Sequence, residues 1–309
     1  MDEMPSLPVP RKRSNRWQLN DRFLTIGILV ELVLLGVAAA WFFFGKPESP
    51  APQSIAVLAT RDVHALAISP SSIDSVFFGH HDGVLRSTDG GYRWRPLPIS
   101  GDAMALAISP SNPQLVYMAG HEVFFKSTNG GNTWERMVYD LPYDDIHGFA
   151  VDPNSPNTLY AFVVGFGLYN SLDGGATWKR LSTKLPDTVM ALAVAVNNPR
   201  VLYAGTMSDG LLKSSDGGIT WQPVTNGIRN RMIMALVTVP SRPGLLYAGT
   251  DKGLFRSDDG GTSWSPTGFK DGVGAVAVAP GNPQLVVIVD MRTNVYRSKD
   301  AGSTWGASK

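Results

Sequence analysis

Cysteine is absent from the 309 residues, which excludes disulfide staples and thiol chemistry in any compartment. An excess of one charge is absent too. The whole chain sets 27 Lys and Arg against 26 Asp and Glu, and residues 54–309 carry 21 of each sign. A nucleic-acid binder would show a basic surplus, so the balance argues against that class. Beyond residue 53 glutamate is scarce, with only Glu122 and Glu135. No compact spacing such as His-x-x-x-His occurs, so the sequence by itself suggests neither a metal site nor a cofactor.

Long apolar runs are equally rare, and the single exception is at the N-terminus. Phe23–Phe44 is 22 residues long and interrupted only by Glu31; as a helix it would span roughly 33 Å, enough for a bilayer core. Arg11, Lys12, Arg13, Arg16 and Arg22 precede it, and only Lys46 follows closely. The positive-inside rule therefore predicts a cytoplasmic basic tail over 1–22 and a transmembrane helix over 23–45. A Pro-rich linker over 46–53 would lead to an extracytoplasmic (periplasmic) domain over 54–309, carried on a single-pass cell-membrane protein. The rival reading is a cleaved signal peptide, since Ala38-Ala39-Ala40 resembles a cleavage site; the apolar run continuing through Trp41–Phe44 favours the anchor. Glu31 is costly inside a bilayer and shares a helix face with Gly27 and Ala38, which suits packing against partner helices.

What the chain does have is repetition. Six segments share one pattern, beginning at Ser87, Ser127, Ser171, Ser214, Ser257 and Ser298 and ending at Trp94, Trp134, Trp178, Trp221, Trp264 and Trp305. Successive serines lie 40, 44, 43, 43 and 41 residues apart, a period that means repeated units burying their faces against neighbours. Each unit holds four short β-rich runs separated by Gly, Pro, Asn and Asp, the signature of a propeller blade. The expected architecture is all-β, a six-bladed propeller preceded by one N-terminal helix. Only four residues follow Trp305, so Ser54–Leu58 is expected to complete the last blade and remove an exposed sheet edge.

The motif Ser-x-Asp-Gly-Gly-x-Thr-Trp resembles the Asp-box (BNR) repeat of sialidases and related propellers. Asp89, Asp173, Asp216, Asp259 and Asp300 hold its acidic position and Asn129 replaces it once; Arg93 and Ser263 stand in for Thr, and Ala301 for a Gly. The resemblance implies a structural role for these residues and their tryptophans, on the turn between the third and fourth strands. A sialidase would need an arginine triad, a Tyr–Glu nucleophile pair and an Asp acid/base. The arginine-bearing motif is not visible, and Arg86, Arg256 and Arg297 sit at a repeat position shared by Lys126, Asn170 and Lys213. The chain is also similar to the photosystem II assembly and stability propeller family, which acts by docking rather than catalysis.

Any site is therefore sought on the opposite face, made by the loops between second and third strands and between successive blades. There the sequence suggests a ring of Asp62, Asp102, Asp145, Asp187, Asn230 and Asp271, and a second ring of His64, Met104, His147, Met190, Met234 and Gly274. His81 and His121 are equivalent in adjacent blades, with His80 beside the first. All five histidines fall on blades one to three, whereas Arg229, Arg231, Lys252, Lys270 and Arg292 occupy blades four to six. A two-signed face suits oriented docking. The expected function is a non-catalytic subunit or assembly factor of an integral membrane protein complex, photosynthetic or energy-transducing, with no nucleic acid among its partners. The alternatives are a membrane-anchored glycosidase or an envelope-glycan binder, for which Asp102 and Asp144-Asp145 are the candidate carboxylates.

Overall fold

The computed structural model describes residues 51–196, 198 and 200–306. The apolar segment 23–45, with Gly27, Glu31 and Ala38, lies outside the described residues. Among those residues there is no helix at all, and hence none long and apolar enough to cross a membrane.

Five repeats each fold into an antiparallel four-stranded sheet of consecutive strands joined by tight turns, and the sixth takes its outer strand from the start of the domain. Blade 1 comprises Ala65–Ile68, Val76–His80, Gly83–Ser87 and Arg95–Pro96. Blade 2 runs Ala105–Ile108, Val116–Gly120, Val123–Ser127 and Glu135–Arg136. Blade 3 runs Ile146–Asp152, Ser155–Val163, Gly167–Ser171 and Lys179–Ser182. Blades 4 and 5 follow with Val189–Val194, Leu202–Thr206, Leu211–Ser214, Gln222–Val224 and then Ile233–Thr238, Leu246–Thr250, Gly253–Ser257, Ser265–Pro266. Blade 6 has Val273–Ala279, Asn282–Asp290 and Asn294–Ser298; its outer strand is Ala56–Val57, paired antiparallel with Asn294 and Val295. The innermost strands of neighbouring blades touch all the way round, blade 6 against blade 1 included. Six blades form the ring.

The repeated motif holds each blade to the one before it. In blade 1 the Ser87 hydroxyl donates to Asp89 Oδ1 (2.9 Å) and accepts from the Gly91 amide (2.8 Å); Asp89 Oδ1 then accepts from the Tyr92 and Arg93 amides. That network closes the turn and aims the tryptophan backwards. Trp178 of blade 3 meets Phe124 of blade 2 edge-on at 6.1 Å, and Trp305 of blade 6 meets Phe269, which enters from blade 5, at 5.4 Å. Trp134 likewise joins Phe77 and Val84, and Trp264 joins Tyr203 and Leu211. The second glycine must lack a side chain for this approach, since a Cβ on Gly131 would lie 2.6 Å from the Phe77 ring. Ala301, at the first glycine position of the last copy, adopts φ 58°, and its carbonyl accepts the Tyr247 hydroxyl of blade 5 at 3.0 Å. The same carbonyl in blade 1, Gly90, accepts Arg297 Nη1 of blade 6 at 2.7 Å, across the closure of the ring.

Candidate functional site

Strand register fixes which residues stand at equivalent places on the opposite face. Ala65, Ala105, Gly148, Ala191, Ala235 and Ala275 pair with Gly79, Ala119, Phe162, Gly205, Gly249 and Val289. One residue earlier come His64, Met104, His147, Met190, Met234 and Gly274, the ring the sequence suggests. Five of them, all but Gly274, line a cavity of ≈ 70 Å³ at the mouth of the channel. Three residues earlier come Asp62, Asp102 and Asp145 but then Thr188, Met232 and Gly272, so the expected six-membered acidic ring is broken. Asp187 and Asp271 sit one position further out and Asn230 two. The entry loops differ in length, so distance along the sequence from the next strand does not give equivalence, whereas the paired strands do. Asp187 instead accepts the Gly165 amide at 2.9 Å, which caps a hairpin.

Carboxylates and imidazoles therefore concentrate on blades 1 to 3. Asp102, only 6% exposed, lies at the centre. His121 Nδ1 is 2.6 Å and His81 Nδ1 3.2 Å from its Oδ2, and His64 Nε2 is 3.3 Å from its Oδ1. Asp62 lies 3.8 Å from His64 Nε2 and accepts the His81 amide at 3.0 Å. On the far side, His121 Nε2 stands 3.1 Å from Asp145 Oδ1 and 2.8 Å from His147 Nε2, and His147 Nε2 is itself 3.0 Å from Asp145 Oδ1. Burial pushes the His64 and His147 imidazoles below the ordinary histidine value, against the pull of Asp102 and Asp145 respectively. In both rings burial thus favours the neutral imidazole over the protonated one.

Local backbone holds these groups in place. His121 and Glu122 form a two-residue hairpin turn between Gly120 and Val123, which forces Glu122 to φ 57°. The Glu122 amide donates to the Asp144 carbonyl (2.8 Å), and the Val164 amide to the Asp145 carbonyl (3.0 Å). The entry to blade 3 is thus stitched to the hairpins on both sides. His80 takes no part in the cluster: its ring stacks on Phe78, and its Nδ1 accepts the Asp82 amide.

Blades 4 to 6 differ. Arg229 is exposed, and the Arg231 guanidinium lies over the Phe255 ring at 5.6 Å. Among the described residues neither forms an ion pair with an acid. Lys252 sits 3.7 Å from Asp251, and other loops of the same blades carry Asp187, Asp209 and Asp271, so this half is of mixed charge rather than basic. The face also exposes large apolar side chains that charge and spacing do not single out: Tyr143 (54%), Phe166, Met207 and Met291 (58%). Tyr143 and Phe166 form a ring pair 6.1 Å apart beside Asp144 and Asp145. Larger cavities lie elsewhere: one of ≈ 170 Å³ in the central channel between the innermost strands, and others beside the repeated motif. In one of ≈ 520 Å³, Asp258 is paired with Arg256 (2.6 Å) and Arg242 (2.9 Å), and Asp259 is taken up by its own turn.

No protein-family model matches the chain, and no curated protein matches it in sequence. Solved structures do share its fold. The GH74 xyloglucanase from Xanthomonas campestris aligns at TM-score 0.58 and 22% identity, over 82% of this chain and 46% of that one. The GH74 enzyme from Niastella koreensis aligns at 0.62 and 20%, again over 82% and 46%. This chain thus spans about half the length of the GH74 enzymes. YCF48 from Cyanidioschyzon merolae aligns at 0.53 and 18%, over 82% of this chain and 87% of that one; a structure of YCF48 bound to D1 peptide aligns at 0.53 and 16%. At such identities the similarity establishes a shared β-propeller fold.

Proposed function

We propose that this protein is a non-catalytic docking propeller that binds a polypeptide segment of an integral membrane protein complex. The observation that carries the reading is the exposed set Tyr143, Phe166, Met207 and Met291, on the same face as the histidine–aspartate cluster and Arg229. Aromatic side chains, methionine and arginine are the residue types enriched at interface cores, and methionine adapts its shape to a partner. Charged groups around them would set orientation. The likeness to YCF48, of which one structure holds a D1 peptide, supports a peptide as the occupant.

The apolar run 23–45 would anchor the propeller as a single-pass protein of the cell membrane, N-terminus in the cytoplasm and propeller periplasmic. Its Gly27/Glu31/Ala38 face would pack on the partner's helices. A photosynthetic or energy-transducing complex is the partner type we infer, by analogy with the similar propellers. A sugar-cleaving role has less support. The cluster opens on a cavity of only ≈ 70 Å³, far below the 300–1,000 Å³ typical of small-molecule sites.

Extraction of native membranes in mild detergent, followed by native electrophoresis and mass spectrometry, tests the reading. Co-migration with a large complex, lost in a Phe166→Asp, Met291→Asp double variant, is expected. Migration as a lone chain would overturn docking, and hydrolysis of β-glucan oligosaccharides by the purified protein would replace it with catalysis.

A further inference from the structure

We infer that His121, Asp145 and His147 form a binding site for one divalent first-row transition-metal ion, with Asp102 positioning His121 from behind. The three donor atoms, His121 Nε2, His147 Nε2 and Asp145 Oδ1, stand 2.8, 3.0 and 3.1 Å from one another. A metal about 2.0–2.1 Å from each donor, bonded at right angles, gives donor–donor edges of about 2.9 Å; tetrahedral angles give about 3.3 Å. The trio therefore matches one triangular face of a five- or six-coordinate ion, the two-histidine, one-carboxylate arrangement. Solvent reaches the trio on the His121 side, whose side chain is 45% exposed.

Protons alone do not account for the arrangement. Asp102 Oδ2, 2.6 Å from His121 Nδ1, fixes the proton there and leaves Nε2 with its lone pair in the neutral ring. A proton added at His121 Nε2 can serve Asp145 or His147, but the other pair then faces lone pair to lone pair. A proton on each Nε2 sets two N–H groups against each other at 2.8 Å. A cation satisfies all three at once. Asp145 Oδ1 is a buried atom that accepts no hydrogen bond among the described residues, as expected of an oxygen reserved for a cation. The site is preformed, because the left-handed Glu122 turn and the bonds from Glu122 to Asp144 and Val164 to Asp145 fix both ligand-bearing segments. Asp62, His64 and His81 also gather on Asp102. Their contacts are looser, with His64 Nε2 3.8 Å from Asp62, and each imidazole already reaches the Asp102 carboxylate.

The test uses the full chain purified in detergent, stripped with chelator and titrated with Co²⁺, whose visible spectrum reports coordination. Saturable binding is expected, with weak bands of five- or six-coordinate cobalt and a raised melting temperature. His147→Ala and the isosteric Asp145→Asn should each abolish these bands, and Asp102→Asn should weaken binding about 10- to 100-fold. His80→Ala, outside the cluster, serves as the control and should bind as the parent does. Intact far-ultraviolet dichroism of Asp145→Asn without metal excludes unfolding as the cause. Absence of saturable binding by the parent protein, or bands that survive in both His147→Ala and Asp145→Asn, would overturn the site.

Discussion

The two faces of this propeller are built on opposite rules. On one, six copies of a single turn repeat the same serine–Asp/Asn bonds. The ring nitrogens of four motif tryptophans donate to a glycine carbonyl, although those of Trp134 and Trp305 are buried without a partner among the described residues. Every motif carboxylate is satisfied by its own hydroxyl and amides, as in the Ser214–Asp216–Thr220 and Ser298–Asp300–Thr304 sets. On the other, the loops differ blade by blade, and one cluster leaves His64 Nε2, Asp102 Oδ1, Asp145 Oδ1 and His147 Nδ1 buried without hydrogen bonds. Among the described residues, three of the four non-glycine positions with positive φ, Glu122, Asn230 and Thr293, lie on that second face. Strain and unsatisfied polar groups persist only where the surrounding structure enforces them. The repeated face stabilises the ring, and that stability tolerates the irregular face.

The contrast can be broken most severely from the stable side. Trp264→Ala should cost about 3–5 kcal/mol, because the ring is 4% exposed and seated on Tyr203 and Leu211 of the preceding blade. Trp178→Ala, at a half-buried ring, should cost clearly less, and equal losses in chemical denaturation would refute the burial argument. Gly131→Ala comes next, at about 2 kcal/mol, since it combines φ 80° with a Cβ pressed on Phe77. An unchanged midpoint would mean that the Phe77 ring moves aside.

Acid acts first on the repeated turns. The Ser263 hydroxyl and amide hold the Asp259 carboxyl down at about 2, and Thr177 and Thr220 depress Asp173 and Asp216 in the same way. A depressed carboxyl contributes stability that is complete above its unfolded value near 4 and is lost as pH falls through the folded value. Melting temperature should therefore fall between about pH 4 and 2, and Asp259→Asn should flatten that limb. A parallel acid limb in the variant would rule out the turn as its source. The smallest effect is expected on the irregular face. Glu122→Gly should raise stability by up to about 1 kcal/mol by removing the left-handed strain, while any metal affinity falls as the turn loosens. A lower melting temperature would show that the Glu122 side chain matters more than its φ.

Much of this was legible from residue order. The motif period and its terminal tryptophans specify six blades, and the equivalence of His81 with His121 follows from their hairpins. The acidic ring shows the limit. Asp187, Asn230 and Asp271 look equivalent to Asp62 by proximity to the next strand, yet pairing puts Thr188, Met232 and Gly272 there. Metal-ligand spacing was invisible for a related reason: His121 and His147 are 26 residues apart and belong to different blades. The exposed Tyr143, Phe166, Met207 and Met291 are single apolar residues in four separate loops, with no local pattern to mark them.

The blade follows from residue order alone, because strand length, turn residues and the Ser-x-Asp network are local interactions that a repeat satisfies within about 40 residues. What meets what between blades follows from folding of the whole ring. The distance from one blade's hairpin to the next blade's entry is set by the packing of whole sheets around the ring, and no stretch of chain encodes it. The histidine–aspartate cluster is built across those seams.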